Sequence, residues 1–301
     1  MSTANPTPWT TLVDVATLSS ALAQGDTRLL DARATASAAP RVLDARFSLA
    51  DPQSGARDYA AGHLPGALRA DVNRDLADMS VVGHGRHPLP DSDAFAATLG
   101  RWGIGPDTQV VVYDGGDGSM AAARAWWLLR LIGHTQVAVL DGGLAAWQAA
   151  GLPLTTEVPE VVPLPAYPGR FDTTQVASVD EIAARLKHAP GWLLDARAGE
   201  RFRGEVEPLD PVAGHVPGAV NRPFALNVAD GRLRPAAELQ AALRPLIGTQ
   251  DPRQVVVMCG SGVTACHLLL AMEVAGLHGA RVYADSWSGW VSDSSRPVAT
   301  T

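Results

Sequence analysis

Short apolar runs alternate along the chain with longer stretches that mix apolar and polar residues. Trp192–Asp195 and Gln254–Met258 are brief runs rich in β-branched or apolar residues, which is typical of buried strands. Ser178–Leu186 is amphipathic and carries Glu181 three residues after its first position, a pattern that predicts a capped helix. Thr264–Ala275 is apolar nearly all round and predicts a buried helix. Alternating strands and helices indicate an α/β fold with a mainly parallel sheet covered by helices on both faces.

The chain contains an internal repeat that has the length of a whole domain. Four pairs of segments match in the same order: Leu29–Arg33 with Leu193–Arg197, Ala61–Ala67 with Ala213–Ala219, Val110–Gly115 with Val255–Gly260, and Trp147 and Pro153 with Trp290 and Pro297. The second pair, Gly-His-X-Pro-Gly-Ala, predicts a tight turn that enters a strand. Loops of different length separate the matches, so the repeat indicates a duplicated domain.

Length and proline spacing predict where the two copies meet. A chain of 301 residues favours two domains. Prolines crowd one stretch near the middle, at Pro153, Pro159, Pro163, Pro165 and Pro168. Such spacing disfavours a helix or a central strand and favours an extended linker. We therefore expect a first domain over residues 1–155, a Pro-rich linker over 156–172 and a second domain over 173–301.

Composition and charge exclude several classes of function. The net charge of -7 argues against broad binding to nucleic acid or to anionic lipid. The sequence has no apolar run of the roughly 18 residues that span a membrane, and Met1–Pro6 lacks the basic and apolar regions of a signal peptide. The two cysteines, Cys259 and Cys266, cannot form a disulfide framework. These features predict a soluble protein of the reducing cytoplasm.

Two glycine-rich turns follow predicted strands, one in each half. Val110–Tyr113 leads into Asp114 and Gly115, and the second-half strand leads into Cys259–Thr264. In such a turn several backbone N–H groups converge at the positive end of a helix dipole, which favours the thiolate form of a cysteine. Asp114 offers only a weakly nucleophilic carboxylate. The same arrangement is therefore predicted to be reactive in the second half alone.

The other cysteine is predicted to be structural. Cys266 lies two turns into an apolar helix, where packing is the expected role. Cys259, Cys266 and His267 lack the paired spacing of zinc ligands, so no metal site is expected. No organic cofactor is implied either.

The sequence resembles tandem-domain sulfurtransferases of the rhodanese family. The resemblance rests on Cys-Gly-Ser-Gly-Val-Thr at Cys259–Thr264, on the duplicated Gly-His-X-Pro-Gly-Ala turns and on the unreactive first copy. It implies two tandem rhodanese-like domains, the second one catalytic. Within the family the hexapeptide is similar to the loop of the branch that uses 3-mercaptopyruvate. The thiosulfate branch typically carries Cys-Arg-Lys-Gly-Val-Thr, whereas Gly260 and Ser261 replace those two cations here.

The resemblance implies a mechanism and a set of site residues. Cys259 would attack the donor sulfur and become a persulfide that the loop amides stabilise. Ser261 and His63, the latter from the first domain, would handle the proton of the departing pyruvate enolate, with Asp51 or Asp58 as the acidic partner of His63. His215, in the matching turn, is expected to be structural. The substrate-binding loop positions are Gly260, Gly262, Val263 and Thr264.

Carboxylate binding is the point at which the sequence departs from the family. Arg201 matches the position that binds the substrate carboxylate. A second family arginine normally follows a Glu-Pro pair, but Leu209 follows Glu207 and Pro208 here. Arg203 could compensate, or the enzyme could prefer another sulfur donor. Arg197, at the end of a strand, is predicted to form a domain-bracing ion pair, because its proposed twin Arg33 has no catalytic partner.

Three other functions were compared with the sequence: a cysteine phosphatase, a thiosulfate sulfurtransferase and a binding or regulatory module. A cysteine phosphatase would need an arginine six residues after Cys259. Ala265 stands there, so the sequence argues against a phosphatase. A thiosulfate sulfurtransferase and a rhodanese-like binding or regulatory module both stay open as alternatives. The expected partners are a small sulfur donor and an acceptor that is a thiol, cyanide or a thioredoxin-like protein.

Overall fold

The computed structural model describes residues 7–25, 29–30 (backbone only), 39–116, 121–188 and 190–301. The chain forms two compact units. Unit 1 comprises the described residues of Met1–Leu76 and Pro90–Phe171, and unit 2 comprises Ala77–Leu89 and Asp172–Thr301. The units are not contiguous halves, since residues 77–89 cluster with the second one.

Unit 1 is built on a five-stranded parallel sheet. The strand order is β1-β6-β5-β3-β4, and both alternating faces of β3, β5 and β6 are buried. A separate two-stranded sheet pairs β2 with β7. The strands are β1 (Leu12–Val13), β2 (Leu29–Leu30), β3 (Arg41–Asp44), β4 (Ala67–Arg69), β5 (Val110–Tyr113), β6 (Val137–Leu140) and β7 (Glu160–Val161), and the helices are α1 (Val15–Gln24), α2 (Ser54–Ala61), α3 (Ser92–Arg101), α4 (Ala121–Leu131) and α5 (Gly143–Ala149).

Unit 2 repeats this architecture with a four-stranded parallel sheet of order β13-β12-β8-β9. A small antiparallel pair, β10 with β11, lies outside it. The strands are β8 (Leu193–Asp195), β9 (Val220–Asn221), β10 (Val228–Ala229), β11 (Arg232–Leu233), β12 (Val256–Met258) and β13 (Arg281–Val282); the α-helices are α6 (Val179–Ala184), α7 (Gly199–Arg203), α8 (Ala236–Ile247), α9 (Thr264–Val274) and α10 (Ser286–Trp290); and 3₁₀ turns cover Thr173–Gln175, Phe224–Asn227 and Pro252–Gln254.

Parallel sheets buried on both faces confirm the predicted fold class. The predicted helices are confirmed as well, with small differences at their ends. Ser178 Oγ accepts the Glu181 N–H at 3.2 Å and caps α6, which ends at Ala184. The apolar stretch after residue 263 forms α9, and its side chains are buried from Ala265 to Met272. Helices with such apolar faces pack onto the sheets because burial removes their side chains from water.

The repeated Trp and Pro residues make the same contact in each unit. Trp147 Nε1 donates to the Pro153 carbonyl oxygen, and Trp290 Nε1 donates to that of Pro297, both at 3.0 Å. A buried indole N–H needs an acceptor, and the chain that follows each helix supplies it. This shared contact explains why the two residues recur as a pair.

The match of Leu29–Arg33 with Leu193–Arg197 is wrong. Residues 31–38, which include Arg33, lie outside the described residues, and β2 pairs with β7 in the small two-stranded sheet. The strand that takes the place of β8 is β3, which lies between β5 and β4. Its Asp44 pairs with Arg46 at 2.6 Å, as Asp195 pairs with Arg197 at 2.8 Å. Val42–Arg46 differs from Leu29–Arg33 in its first residue alone, so both segments resemble Leu193–Arg197 in sequence.

Arg46 and Arg197 brace equivalent turns. Arg46 Nη2 donates to the Gly62 carbonyl and Arg197 Nη2 to the Gly214 carbonyl, each at 2.7 Å. In the tight turns that follow, Ala67 N–H bonds the Leu64 carbonyl and Ala219 N–H bonds the Val216 carbonyl. The glycines at the third turn position, Gly66 and Gly218, have φ of +75° and +83°. The predicted tight turn and the bracing ion pair of Arg197 are thereby confirmed.

The proline-rich stretch contains little regular structure. Within residues 156–171 the structure has one two-residue strand, β7, and these residues cluster with unit 1. The division between the units after this stretch falls between Phe171 and Asp172. No described helix is long and apolar enough to cross a membrane.

Candidate functional site

Cys259 lies at the carboxyl end of β12, in the centre of the unit 2 sheet. The loop that follows runs directly into α9, whose first residue is Thr264. Cys259 is 2% exposed, and its Sγ accepts the Gly262 N–H at 3.2 Å. An N–H donor and the positive end of a helix dipole both favour a negatively charged sulfur.

The remaining loop positions complete a cradle of backbone amides. Within the described residues, the N–H groups of Gly260, Ser261 and Val263 have no hydrogen-bond acceptor. Val263 is buried and stands at the N-cap of α9, and Thr264 is half-buried. The arrangement therefore leaves several donors for an anion bound beside Cys259.

Ser286 holds the backbone of Cys259 in place. The Cys259 N–H donates to Ser286 Oγ at 3.1 Å, and Ser286 Oγ donates to the Tyr283 carbonyl at 2.9 Å. Ser286 has φ of +52°, a left-handed conformation that is costly for a residue with a Cβ atom. The equivalent residue of unit 1, the first of α5, is Gly143 with φ of +56°. The copy with the cysteine thus carries a serine where the copy with the aspartate has glycine.

A histidine that the sequence analysis missed is the partner of Ser261. His87 Nδ1 lies 2.8 Å from Ser261 Oγ, although 174 residues separate them. Both side chains are buried, with 3% of His87 and 9% of Ser261 exposed. His87 belongs to residues 77–89, which we call the inserted segment and which form part of unit 2.

The lengths of the two copies contain a signal that points to the inserted segment. The chain runs 51 residues from His63 to Asp114 but only 44 from the equivalent His215 to Cys259. The first copy therefore carries extra residues in this interval, and the inserted segment falls within it. Extra residues that contain two histidines and an arginine are candidates for a functional loop.

The geometry does not support the proton-handling role for His63. Its ring is fully buried in unit 1, stacked on Tyr59 at 3.8 Å, with Nδ1 2.8 Å from the Tyr59 carbonyl oxygen and Nε2 3.2 Å from that of Glu157. His215 has the same surroundings in unit 2, stacked on Phe202 with Nδ1 2.8 Å from its carbonyl. In each histidine a ring nitrogen is hydrogen-bonded to a backbone carbonyl oxygen. The two residues therefore have the same structural role in equivalent turns.

The two aspartates considered as partners of His63 lie elsewhere. Asp51 pairs with Arg57, which lowers the pKa of that exposed carboxyl, and Asp58 is exposed. Within the described residues, neither side chain is hydrogen-bonded to His63. The geometry therefore does not support either aspartate as the partner of His63.

Arg201 lies beside the reactive loop in a network of charged groups. Its guanidinium pairs with Glu207 at 2.6 Å and with Asp210 at 3.3 Å. Asp210 also pairs with Arg86 of the inserted segment at 2.9 Å. Arg203, on the same helix as Arg201, instead pairs with the exposed Glu205 at 2.7 Å. Arg201 and Arg86 thus share the buried carboxylate of Asp210, whereas the partner of Arg203 is an exposed glutamate.

In unit 1 an aspartate takes the place of the cysteine. Asp114 is 5% exposed, and its carboxylate accepts the N–H groups of Ala122 and Gly116 at 3.2 and 3.4 Å. Asp117 to Met120 lie outside the described residues. The carboxylate occupies the anion position at the start of α4, much as a thiolate would.

The other cysteine is buried on α9. Cys266 is fully buried, and its thiol donates to the Gly262 carbonyl at 3.2 Å. Both cysteines are free. In the part of the chain that the structure describes, no group of three or more His, Cys, Asp or Glu side chains is arranged to hold a metal ion.

A family model matches both copies. The model of the Rhodanese-like domain matches residues 14–150 and again residues 178–293. These two ranges contain the β5–α4 and β12–α9 turns, with Asp114 in the first range and Cys259 in the second.

Curated relatives and a solved structure extend the match over most of the chain. A Pseudomonas aeruginosa protein described as "Probable 3-mercaptopyruvate sulfurtransferase" is 49% identical over 86% of this chain and 92% of its own. A Mycobacterium tuberculosis protein, "Putative thiosulfate sulfurtransferase SseB", is 42% identical over 85% of this chain and 89% of its own. The structure of "3-mercaptopyruvate sulfurtransferase from Leishmania major" aligns with a TM-score of 0.78 and 30% identity, over 95% of this chain and 75% of that one.

Proposed function

Because the chain belongs to the rhodanese family and is a sulfurtransferase, we propose that it takes sulfur from 3-mercaptopyruvate through a persulfide on Cys259. The observation that carries this proposal is the seating of the Cys259 sulfur, which accepts the Gly262 N–H at the start of α9. A thiolate at this position is a nucleophile that lies beside the backbone N–H groups of an anion-binding turn.

The first half-reaction forms a sulfur–sulfur bond and breaks a carbon–sulfur bond. The Cys259 thiolate attacks the sulfur of 3-mercaptopyruvate, and the electron pair of the broken bond stays on the pyruvate fragment as an enolate. The donor sulfur remains on Cys259 as a persulfide, whose charge the amides of Gly260, Ser261 and Val263 stabilise. Gly262, Val263 and Thr264 form the turn and helix start that aim these groups.

Protonation of the enolate completes the half-reaction. Ser261 Oγ lies 2.8 Å from His87 Nδ1, so a proton can pass from the imidazole through the hydroxyl to the enolate carbon. This role replaces the one expected of His63. Pyruvate then leaves, and the persulfide is ready for an acceptor.

The second half-reaction regenerates the cysteine. A thiolate or cyanide attacks the outer sulfur of the persulfide, and Cys259 departs as a thiolate. We propose a small thiol, cyanide or a thioredoxin-like protein as the acceptor. A reducing cytoplasm fits both free cysteines, since Cys259 must remain unoxidised between turnovers.

Thiosulfate is the alternative sulfur donor. The loop lacks a cation at Gly260 and Ser261, which favours a donor with one carboxylate over a doubly charged inorganic one. The Mycobacterium tuberculosis relative, described as a thiosulfate sulfurtransferase, is the observation that keeps the rival in view. Measuring kcat/KM for both donors on one preparation decides between them, and a thiosulfate preference would contradict the proposal.

The persulfide is tested directly by mass spectrometry. After incubation with 3-mercaptopyruvate and removal of acceptor, the peptide that contains Cys259 should gain about 32 Da. Cys259→Ser should lower kcat about a thousandfold or more, because a hydroxyl is a poor nucleophile here.

The matched control is the second buried cysteine. Cys266→Ser should keep most of the turnover, because the Cys266 thiol donates to the Gly262 carbonyl and a serine hydroxyl can make the same hydrogen bond. An unmodified Cys259 with every donor would favour a binding or regulatory module. Equal losses from both substitutions would contradict the separate roles of the two cysteines.

A further inference from the structure

The chain that follows β9 carries two arginines that converge on one neutral acceptor. Arg222 Nη2 and Arg234 Nε each donate to the Leu226 carbonyl oxygen at 3.1 Å. The two nitrogen atoms are therefore roughly 6 Å apart or less, a separation at which two positive charges repel each other. The carbonyl oxygen has no net charge to neutralise them. The arrangement thus concentrates positive charge in a protein whose net charge is -7.

The charge of Arg222 is not balanced by a carboxylate. Among the residues that the structure describes, its side chain donates to the Leu226 carbonyl oxygen and, through Nε, to Asn227 Oδ1 at 2.9 Å, and no Asp or Glu side chain is paired with it. Burial and the neighbouring charge of Arg234 lower the pKa of Arg222. Arg234 does pair with Glu238, at 3.2 Å, but that carboxylate is 56% exposed, where an ion pair contributes little.

Asn227 presents a buried amide donor beside Arg222. Its side chain is fully buried, and in the described part of the chain its Nδ2 has no hydrogen-bond acceptor. Because Oδ1 accepts from Arg222 Nε, the oxygen and nitrogen of this amide cannot be exchanged. The two amide atoms are about 2.3 Å apart, so Nδ2 lies about 5 Å or less from Arg222 Nε. A buried donor without an acceptor has a free-energy cost that an anionic ligand would remove.

Backbone hydrogen bonds hold these three side chains in place. The Arg222 N–H donates to the Asp195 carbonyl oxygen at 2.8 Å, and the Arg234 N–H donates to the Asn227 carbonyl oxygen at 2.9 Å. Asn227 ends a 3₁₀ turn, and the antiparallel pair of β10 and β11 connects it to Arg234. Groups that are already positioned in the free protein bind an ion with little further loss of conformational entropy.

This cluster lies at the same sheet edge as Cys259 but is a separate site. In unit 2, β8 lies between β12 and β9, and Asp195 is in register with both Met258 and Asn221. Cys259 and Arg222 therefore follow equivalent positions on strands that one other strand separates. Neighbouring strands are about 4.8 Å apart, which places the two backbones roughly 10 Å from each other. An anion bound by the two arginines is thus distinct from one bound by the amides of the Cys259 loop.

We propose that Arg222, Asn227 and Arg234 form a binding site for a tetrahedral oxyanion, with the phosphate group as the ligand class. Within the described ranges, Arg222 Nη1, Arg234 Nη2 and Asn227 Nδ2 donate to no acceptor. A phosphate group has enough oxygens and enough negative charge to accept from all three side chains, whereas a carboxylate has two oxygens and one charge. The inference is independent of the proposed function, because these residues lie outside the sulfur-transfer site.

A purely structural role for the same residues predicts a different result. If the two arginines only held the turn at Leu226, an added anion would not bind there and Asn227 Nδ2 would have no function. Asn227→Asp separates the two roles, because it keeps an oxygen for Arg222 Nε, removes the amide donor and supplies a negative charge. A structural cluster should tolerate this change, whereas an anion site should lose its ligand.

The test is calorimetry with sodium phosphate at an ionic strength kept constant with chloride. The wild type should bind phosphate with a Kd of about 1 mM or lower. Arg222→Gln and Arg234→Gln should each weaken binding about tenfold or more, the usual effect of losing charge-assisted hydrogen bonds, and Asn227→Asp should abolish it. Cooperative urea unfolding establishes that each variant is folded. Absence of binding by the wild type, or equal binding by the wild type and the three variants, would overturn the proposal.

The matched control is another arginine of unit 2. Arg253 is exposed and pairs with Asp251 at 2.6 Å, so Arg253→Gln should bind phosphate as the wild type does. Sulfur transfer is the second control, since kcat and KM for 3-mercaptopyruvate should be unchanged in Arg222→Gln. Phosphate binding that survives Arg222→Gln and is lost when pyruvate is added would assign the anion to the Cys259 loop and overturn the proposal.

Two further ligands identify the chemistry that the site accepts. Glycerol 3-phosphate presents the same phosphate group on an organic molecule, so tighter binding than inorganic phosphate would assign the site to phosphate esters, and weaker binding would assign it to the free ion. Acetate offers a planar carboxylate and should bind about tenfold more weakly than phosphate. Acetate that binds as tightly as phosphate would overturn the assignment to a tetrahedral oxyanion.

Discussion

At the scale of single residues, Ser286 shows how the reactive copy differs from its unreactive twin. Its hydroxyl accepts the Cys259 N–H while its backbone adopts φ of +52°. Gly143 holds the same left-handed turn in unit 1 without strain. A serine persists at this position because its hydrogen bonds to Cys259 and Tyr283 offset a conformational cost of about 1 kcal/mol.

Two substitutions of Ser286 separate strain from hydrogen bonding. Ser286→Gly loses the hydroxyl and the strain, whereas Ser286→Ala loses the hydroxyl and keeps the strain. Ser286→Ala should therefore have a free energy of unfolding about 1 kcal/mol lower than Ser286→Gly, and both should turn over more slowly than the wild type. Urea unfolding and steady-state kinetics measure the two effects.

Asp230 is the matched control for this comparison. It is the other described residue besides glycine with a positive φ, at +50°, and it is exposed. Asp230→Gly and Asp230→Ala should differ in stability as the Ser286 pair does, with no change in turnover. Equal stability of Ser286→Ala and Ser286→Gly would contradict the strain argument.

At the scale of elements, α6 is joined to the edge of the unit 2 sheet by one carboxylate. Glu181 pairs with Arg185 on its own helix at 3.2 Å, and Arg281 Nη1 of β13 donates to it at 2.8 Å. The hydrogen bond from Arg281 is the main cause that lowers the pKa of Glu181 below its ordinary value of 4.5. A capping-box glutamate thus also connects a helix to a strand 100 residues away.

Glu181→Gln should lower the free energy of unfolding by about 1 kcal/mol at neutral pH. The folded state holds this carboxyl with a depressed pKa, so its stabilisation is complete above pH 4.5 and declines as the pH falls below it. Urea titrations of the wild type and the variant should therefore converge at low pH.

The control is Glu238→Gln on α8. Glu238 is exposed, and its ion pair is with Arg234, which lies two residues before the start of α8, at 3.2 Å, so its loss should cost about 0.5 kcal/mol or less. A pH-independent difference between the wild type and Glu181→Gln would show that the ion pair with Arg281 is not the source of the stability.

At the scale of the whole molecule, the first copy contributes chemistry to the second through the inserted segment. Residues 77–89 belong to unit 2 and bring His87 to Ser261 and Arg86 to Asp210. Unit 1 itself has an aspartate, Asp114, at the position of the cysteine. The first half of the sequence nevertheless supplies two side chains of the candidate site.

Loss of His87 should lower the rate of turnover. It should not lower the amount of Cys259 persulfide that forms after long incubation with the donor. His87→Gln and Ser261→Ala should each lower kcat with 3-mercaptopyruvate about a hundredfold, the usual contribution of a positioned proton donor. The double variant should be no worse than either single one, because the two groups act as a unit.

The neighbouring histidine of the inserted segment provides the control. His84 is exposed and lies 3.3 Å from Asp285, so His84→Gln should retain normal kcat. Additive losses in the His87 and Ser261 double variant would contradict a shared proton path. A normal rate in His87→Gln would remove the inserted segment from the proton transfer.

Local features of the fold and the site were predictable from sequence. The strand, turn and helix around Cys259 are contiguous, so the apolar run of Val256–Met258, the glycines and the long apolar helix predict one another. The match of Leu29–Arg33 with Leu193–Arg197 was wrong for a physical reason. Similar sequences form β2, in the small sheet, and β3, in the central sheet. Which of them is central depends on which strands pair, and local sequence does not determine that.

The sequence by itself determined the duplication and the parallel α/β class, and it predicted the reactive cysteine, because each depends on residues that are close together along the chain. Only the tertiary structure decided that His87 and not His63 meets Ser261, and that Arg86 stands beside Arg201. Side chains 174 residues apart carry no shared periodicity or motif. Their meeting depends on how a segment of the first half packs against the second, and folding of the complete chain determines that packing.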